Sequence, residues 1–165
     1  MKKYAFLFAL VALFAVNVNA QTPWKIIDME DVSRHGSNAD YDDETTTATF
    51  KGEKDRWIDL PGIKGDISEH TNLVINVESA DCVLKIAVRY KDENGKAQQA
   101  IAATLYGRMG KAIEKATKLK IDLTNKGKIT PEMLKDVIGI RIAMAKPSVD
   151  KTEPWKVKFG EVALY

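Results

Sequence analysis

Short segments in which apolar residues recur at every second position run through most of this chain, and they constrain its fold more than any other feature. In the segment 84–90, Leu84, Ile86 and Val88 fall on one side, and the segment 73–77 follows the same rule. A period of two is typical of a β-strand with one buried face. About nine strands are predicted in this way, over residues 24–29, 45–50, 56–60, 73–77, 84–90, 101–105, 119–123, 138–144 and 155–164.

Turn signals, rather than regular helices, separate these segments. Asn94-Gly95 lies between two predicted strands and is a strong hairpin signal. Thr130 followed by Pro131 predicts one short helical turn, because Thr is a good N-cap and Pro is pre-set for the first helical position. In the last strand the apolar parity changes at Gly160, which indicates a β-bulge or a bend. The pattern therefore predicts an all-β sandwich or jelly roll rather than a parallel α/β sheet.

The N-terminus has the parts of a secretory signal peptide. Lys2 and Lys3 precede an apolar run over residues 4–16, and the small residue Ala20 follows. The run is shorter than the ~20 residues of a comfortable membrane span, so an uncleaved anchor is the weaker alternative. We expect cleavage after Ala20, one β-sandwich domain over residues 21–165, and export to the periplasm or the cell exterior.

Cysteine content and charge add two expectations. Cys82 is the only cysteine, which excludes an internal disulfide, and its place in an apolar strand predicts a buried, inert thiol. Without Lys2 and Lys3 the chain has 23 basic and 23 acidic residues, but residues 21–81 carry 14 acidic and 6 basic ones. This imbalance could mark a basic face, although strands from distant segments usually lie side by side in a sandwich and mix such charges.

Catalytic motifs do not stand out in the sequence. It has no nucleophile elbow, no phosphate loop and no zinc-binding His-Glu-x-x-His helix. A small hydrolase or lyase using Asp59 or Glu161 would need two carboxylates facing one cleft. The acidic run 40–44 has oxygen ligands suited to calcium, but a solvated loop is the simpler interpretation.

Aromatic side chains are the best candidates for a binding site, because flat rings stack on the C–H faces of sugars while polar groups bind the hydroxyls. Tyr106 is out of register with the apolar residues before it and opens a glycine-containing loop with Arg108. Trp155 follows a proline at a strand entry, where it could be exposed, and Trp57 stands at the start of a predicted strand. Core packing remains an equal alternative for each ring.

Outward-facing basic residues suggest a further binding surface. Lys85, Arg89, Lys118, Lys120 and Arg141 would form one basic face suited to carboxylate or sulfate groups if their strands shared one sheet. An ordinary solvated sheet face is the alternative.

The order of several segments resembles the galactose-binding-like jelly rolls that serve as carbohydrate-binding modules in secreted bacterial polysaccharide-degrading systems. The segments are 26–31 (IIDMED), 56–60 (RWIDL), 89–96 (RYKDENGK), 119–124 (LKIDLT), 137–142 (VIGIRI) and 159–164 (FGEVAL). The resemblance spans nearly all of residues 21–165. It implies a galactose-binding-like jelly roll and non-catalytic binding of a glycan.

Such modules often hold a structural calcium ion between the first and last strands. The resemblance places candidate ligands at Asp28 and Glu30 in the first strand. The last strand of the family often has an Asp where this chain has Gly160, and Glu161 follows one position later. That departure weakens the match to a calcium site.

The resulting hypothesis is a binding protein without chemistry of its own. We expect its partner to be a poly- or oligosaccharide, neutral or anionic, bound through Tyr106, Arg108, Trp155 and Trp57, and we expect neither nucleic-acid binding nor membrane insertion. The main alternative is an accessory domain that docks to a protein at the cell surface, which would expose an apolar patch or an unpaired edge strand.

Overall fold

The computed structural model describes residues 22–105 and 110–165, and its described part is an all-β sandwich. The predicted signal peptide lies outside the described residues. Within these residues, ten strands make up two antiparallel sheets, accompanied by a 3₁₀ turn (Met29–Asp31) and a short helix, α1 (Pro131–Lys135). The strands are β1 (Lys25–Ile27), β2 (Ala39–Asp42), β3 (Thr47–Phe50), β4 (Trp57–Asp59), β5 (Asn72–Ala80), β6 (Cys82–Lys91), β7 (Ala97–Leu105), β8 (Thr117–Asp122), β9 (Val137–Pro147) and β10 (Trp155–Leu164).

The strand order is that of a jelly roll. One sheet runs β2-β3-β10-β5-β8, with β1 paired to the end of β10, and the other runs β4-β9-β6-β7. From β3 to β10, each described strand lies in the opposite sheet from the strand before it, with one exception. The exception is the β6–β7 hairpin, whose two strands lie in the same sheet. The all-β sandwich predicted from the alternation is therefore confirmed.

One apolar core lies between the sheets. The alternating residues of β6 and β9 that face inward are fully buried, as are Phe50, Phe159 and Ile58 from neighbouring strands. Because successive side chains of a strand point to opposite faces, burial of Ile58, Ile140 and Ile142 turns the residues between them outward. The candidate site described below is built from those outward residues.

Local turn signals are confirmed. The β6–β7 hairpin closes around Gly95, whose φ of 72° suits glycine, and Asp92 Oδ1 accepts hydrogen bonds from the backbone N–H groups of Asn94 and Lys96. The pairing of β10 with β5 shifts register between Phe159 and Val162, at the predicted bulge. α1 begins at Pro131, as the Thr-Pro signal indicates.

One strand was missed. Residues 40–44 were interpreted as a solvated loop, whereas Asp40 and Asp42 belong to β2, which pairs with β3. Ala39 is buried and Tyr41 half-buried, and the Tyr41 hydroxyl donates to the carbonyl of Met29 at 2.7 Å. Inward-facing and outward-facing residues thus do alternate in β2. The aspartates at the outward positions make this exposed edge strand look like an acidic loop in the sequence.

The acidic and basic halves of the sequence interleave. Strands from the acidic N-terminal half lie between or beside strands from the basic half in both sheets, as in the neighbouring pairs β5–β8 and β4–β9. The imbalance along the chain therefore does not divide the molecule into two faces. Among the described residues, no helix has the length and apolar character needed to cross a membrane.

Cys82 should not react with thiol reagents while the protein is folded. Its side chain is buried, and burial together with the charge of Asp81 raises the thiol pKa to about 12. At pH 8 the native thiol is therefore both inaccessible and protonated, and the thiolate is the reactive form. We expect negligible colour with Ellman's reagent in buffer and one full equivalent in 6 M guanidinium chloride. Rapid reaction of the native protein would contradict the buried position of Cys82.

Candidate functional site

The outer face of the four-stranded sheet carries a row of polar and aromatic side chains. In the register of this sheet, Asp59 of β4 lies opposite Arg141 of β9. Trp57 lies two residues before Asp59 on the same face, and Arg89 of β6 lies two residues beyond Ala87, the partner of Arg141. Four side chains from three strands are thereby brought together over one part of the sheet.

Asp59 is the centre of this group and is buried although it faces away from the core. Arg141 binds it with two hydrogen bonds, from Nε to Oδ1 at 2.7 Å and from Nη2 to Oδ2 at 3.2 Å. Arg89 Nη1 donates to Oδ2 at 2.7 Å, and Arg34 Nη2 lies 3.8 Å from the same oxygen. One carboxylate is thus shared by three guanidinium groups, which we call the arginine cluster (Arg34, Arg89 and Arg141).

A short segment along the outer edge of β4 helps to bury Asp59. The N–H of Asp59 donates to the carbonyl of Arg34 at 2.9 Å, and the N–H of Gly36 donates to the carbonyl of Trp57 at 2.8 Å. His35 forms an isolated bridge with Ile58 between them. These bonds extend the sheet by one short stretch and hold the backbone of Arg34 beside the carboxylate.

The guanidinium groups of the cluster differ in exposure. The side chains of Arg89 and Arg141 are each 16% exposed, and that of Arg34 is 56% exposed. Burial lowers the pKa of Arg89 from its ordinary value and the charges of Arg141 and Arg34 act in the same direction, while Asp59 opposes them. Arg89 nevertheless stays charged, because an arginine pKa lies far above neutral pH.

Trp57 is held against the cluster. The guanidinium carbon of Arg141 lies 3.4 Å from the centre of the indole ring, so the cation covers one ring face. Gly36 approaches the indole closely: a Cβ at this position would lie 2.9 Å from Trp57 Nε1 and 1.9 Å from the carbonyl oxygen of Asp55. The half-buried ring is therefore fixed, and a sugar could stack only on the face that Arg141 leaves uncovered.

An open cleft of about 230 Å³ adjoins Asp59 where β4 ends. The chain turns there at Pro61 and Gly62, and the register shift in β9 leaves Ile138 outside the strand pairing. Charged and polar side chains on its walls are Asp31, Ser33, Arg34, Asp59 and Lys64. On the rim, Lys25 Nζ donates to the carbonyl of Gly62 at 2.5 Å, which ties β1 to this turn.

The predicted sugar-binding residues have different outcomes. Trp57 lies at the arginine cluster. Tyr106 and Arg108 lie outside the described residues and stay predictions. The expectation that Trp155 is exposed was wrong: its side chain is 8% exposed, and Arg56 lies 5.6 Å from the ring centre. Trp155 has the same parity as the buried Val157 in β10, so it points into the sandwich.

The condition for a single basic face, that the strands share one sheet, is not met. Lys85, Arg89 and Arg141 lie in the four-stranded sheet, whereas Lys118 and Lys120 lie on β8 in the other sheet. The sequence reasoning also missed Arg34 and Lys64, which precede and follow β4 in irregular segments. No periodic signal marks them, and only the packing of these segments brings them to Asp59.

The candidate calcium ligands are exposed carboxylates. Ile27 of β1 pairs with Val162 of β10, so the two strands are neighbours. Asp28 follows Ile27 by one residue, and Glu161 precedes Val162 by one residue. Asp28 Oδ1 accepts a hydrogen bond from the N–H of Glu30 at 3.0 Å and caps the 3₁₀ turn. Within residues 22–105 and 110–165, however, no three His, Cys, Asp or Glu residues converge as a metal site. The calcium ion stays a prediction.

One exposed aromatic pair lies outside the cluster. Trp24, which is 46% exposed, stacks on His70 with ring centres 4.4 Å apart and planes inclined by 9°. Ile26, two residues later, is 62% exposed. These residues form a small apolar surface beside β1.

Comparisons with known proteins do not assign the chain to a family. No protein-family model matches it, and no curated protein is significantly similar to it in sequence. The site is therefore interpreted from its own geometry.

Loss of the Asp59 charge should destabilise the fold strongly. Asp59→Asn keeps the shape of the side chain but leaves Arg89 and Arg141 buried without a counter-ion. Breaking a buried ion pair in this way costs about 3–5 kcal/mol. The free energy of unfolding should fall by about that amount, measured by urea denaturation followed by tryptophan fluorescence.

Asp40→Asn is the matched control. It removes a carboxylate from the exposed pair between Asp40 and Lys51, whose side chains are 73% and 56% exposed. Exposed pairs contribute less than about 1 kcal/mol. Equal effects of the two substitutions would contradict a central role for Asp59.

Proposed function

We propose that this protein is an exported, non-catalytic glycan-binding module, and that its site comprises the arginine cluster, Trp57 and the adjoining cleft. One observation carries the proposal: three guanidinium groups surround a buried carboxylate beside an open cleft of about 230 Å³, and one of them covers a face of a fixed indole. Small-ligand sites are concave, and a few precisely placed polar groups in them fix the orientation of the ligand.

The chemistry of these groups suits a sugar. Guanidinium groups offer several N–H donors in a rigid plane, which can bind the oxygens of hydroxyl or acidic groups on a sugar ring. The hydrogen bonds to Asp59 fix Arg89 and Arg141 before any ligand arrives, so less conformational entropy is lost on binding. Trp57 adds an apolar surface next to these donors.

The size of the cleft sets the scale of the ligand. Its volume lies below the roughly 300–1,000 Å³ of sites for drug-sized molecules. It therefore suits one sugar unit or one substituent. The remainder of a polysaccharide would lie along the outer face of the four-stranded sheet. It would pass Trp57 and then Lys85, which lie on the same face in the register of the sheet.

A role without catalysis is favoured by the state of the two acids considered for chemistry. Both oxygens of Asp59 accept hydrogen bonds from guanidinium groups, so neither is poised to take a proton from a substrate. Glu161 belongs to β10 in the other sheet and does not line the cleft. Asp31 is a second carboxylate in the cleft, and any release of reducing ends from a bound glycan would point to it and reopen the hydrolase hypothesis.

A protein-docking role is the second candidate, and the apolar surface beside β1 favours it. Trp24 and Ile26 are the exposed residues that a partner would cover. A docking function predicts that substitutions here, rather than at Trp57, disturb function.

Removing the indole of Trp57 should weaken glycan binding. We expect Trp57→Ala to lower the affinity for whichever glycan the wild-type protein retains in affinity gels by about tenfold, or about 1.4 kcal/mol. Trp57→Phe keeps a ring and should recover part of the loss. Titration calorimetry of residues 21–165, with urea denaturation to confirm folding, measures both.

Trp24→Ala serves as the control for the loss of an exposed indole elsewhere. Unchanged binding in Trp57→Ala combined with a loss in Trp24→Ala would move the site to the surface beside β1. Failure of the folded wild-type protein to bind any neutral or anionic polysaccharide would overturn the glycan proposal in favour of docking.

Tyr106 and Arg108 give an independent test. If Tyr106 stacks on a sugar and Arg108 binds its oxygens, Tyr106→Ala should reduce glycan affinity while leaving the unfolding midpoint unchanged. The same titration in calcium and in EDTA tests whether the metal affects binding. If calcium only stabilises the fold, it should raise the melting temperature of the wild-type protein and of Tyr106→Ala equally. Full retention of binding in Tyr106→Ala would remove Tyr106 from the site.

A further inference from the structure

The arginine cluster carries more positive charge than its carboxylate can balance. Asp59 supplies one negative charge to three guanidinium groups, and it makes hydrogen bonds with only two of them. Arg34, the third, lies 3.8 Å from Asp59 Oδ2, an ion-pair distance without a hydrogen bond. Among residues 22–105 and 110–165 no acceptor binds its side-chain donors, which are therefore left for another acceptor.

Arg34 is held where such an acceptor could bind. Its carbonyl oxygen accepts the hydrogen bond from the N–H of Asp59 at 2.9 Å, which fixes its backbone against β4. Its side chain is 56% exposed and lines the cleft. The backbone of Arg34 is therefore held in place while its guanidinium group is accessible to solvent, as an anion-binding group requires.

A second cation faces the same cleft from the other side of the turn. Lys64 lines the cleft, is exposed, and makes no ion pair with any residue in 22–105 or 110–165. Arg34 and Lys64 come from segments on either side of β4, so the cleft presents two cations that make no hydrogen bond with Asp59.

Charge around the cleft remains positive when the acids are included. The arginine cluster and Lys64 supply four positive charges, against which stand the carboxylates of Asp59 and Asp31. Asp31 also lines the cleft and opposes an anion there, but the four positive charges exceed the two negative ones. Burial further strengthens the field of Arg89 and Arg141, because their charges are little screened by water.

From this arrangement we infer that the cleft is an acidic-sugar subsite, in which Arg34 and Lys64 bind the carboxylate or sulfate group of an anionic glycan. This inference rests on the proposed glycan-binding function and specifies its ligand class. The anion would add negative charge that balances the excess positive charge of the cluster. Its oxygens would accept hydrogen bonds from the guanidinium group of Arg34.

Paired probes test the charge of the ligand. The first pair is homogalacturonan and the same polymer fully methyl-esterified, in which an uncharged methyl ester replaces each uronate carboxylate. The second pair is chondroitin sulfate and chemically desulfated chondroitin. We expect at least tenfold tighter binding of the charged member of one pair: the first pair if the group is a carboxylate, the second if it is a sulfate. Raising NaCl from 50 to 500 mM should weaken that binding.

Arg34→Gln locates the anion. The backbone bond from Asp59 to residue 34 is kept, and the affinity for the preferred anionic polymer should fall about tenfold, or about 1.4 kcal/mol. Its salt dependence should also decrease. Lys64→Gln should act in the same direction, whereas Lys118→Gln removes an exposed cation from the other sheet and should leave the affinity unchanged.

The outcomes separate this inference from the function beneath it. Equal binding of the charged and neutral members of both pairs, or an effect of Lys118→Gln as large as that of Arg34→Gln, would overturn the acidic subsite while glycan binding stood. Absence of binding to any polysaccharide would overturn both. Loss of anionic binding in folded Arg34→Gln, with neutral glycans bound as before, would support the subsite.

Discussion

The buried carboxylate of Asp59 is the interaction on which the outer face of the four-stranded sheet depends. It accepts hydrogen bonds from Arg141 and Arg89, on the two strands next in order from β4, and its own N–H binds the segment of Arg34. A carboxylate buried at a sheet surface loses hydration that only well-placed donors replace. The geometry of β4, β6 and β9 is therefore coupled to a polar network as well as to the apolar core beneath it.

The same network is the basis of the proposed binding site. Arg141 is fixed by Asp59 and in turn covers one face of Trp57, so a ring and several donors are ordered in advance of a ligand. The network also has more cations than anions. A structural cluster alone would be more stable with balanced charge, and the excess at Arg34 beside an open cleft is the feature that a purely structural role does not require.

The jelly-roll order determines which residues meet at this site. Strands β4, β9 and β6 are separated along the chain but adjacent in the sheet, and β8 belongs to the opposite sheet. The alternation of apolar residues correctly predicts that Arg89 and Arg141 face outward. It could not assign them to the same sheet, nor could it exclude Lys118 and Lys120 from that sheet. Strand parity is a local property, whereas strand pairing depends on the packing of the whole sandwich.

The sequence by itself determined the all-β class, the β6–β7 hairpin, the start of α1 and the bulge near Gly160, because each depends on the period of two or on the conformational preferences of a few adjacent residues. Trp155 shows the limit of local reading: the preceding proline and the strand entry leave both exposure and core packing open, and its parity with Val157 in β10 places it inside the sandwich. Only the tertiary structure decided that Asp59 is buried, that three arginines share it, and that Arg34 and Lys64 line a cleft beside it. Those contacts join residues as far apart as 59 and 141, and their free energy exists only after both sheets have formed.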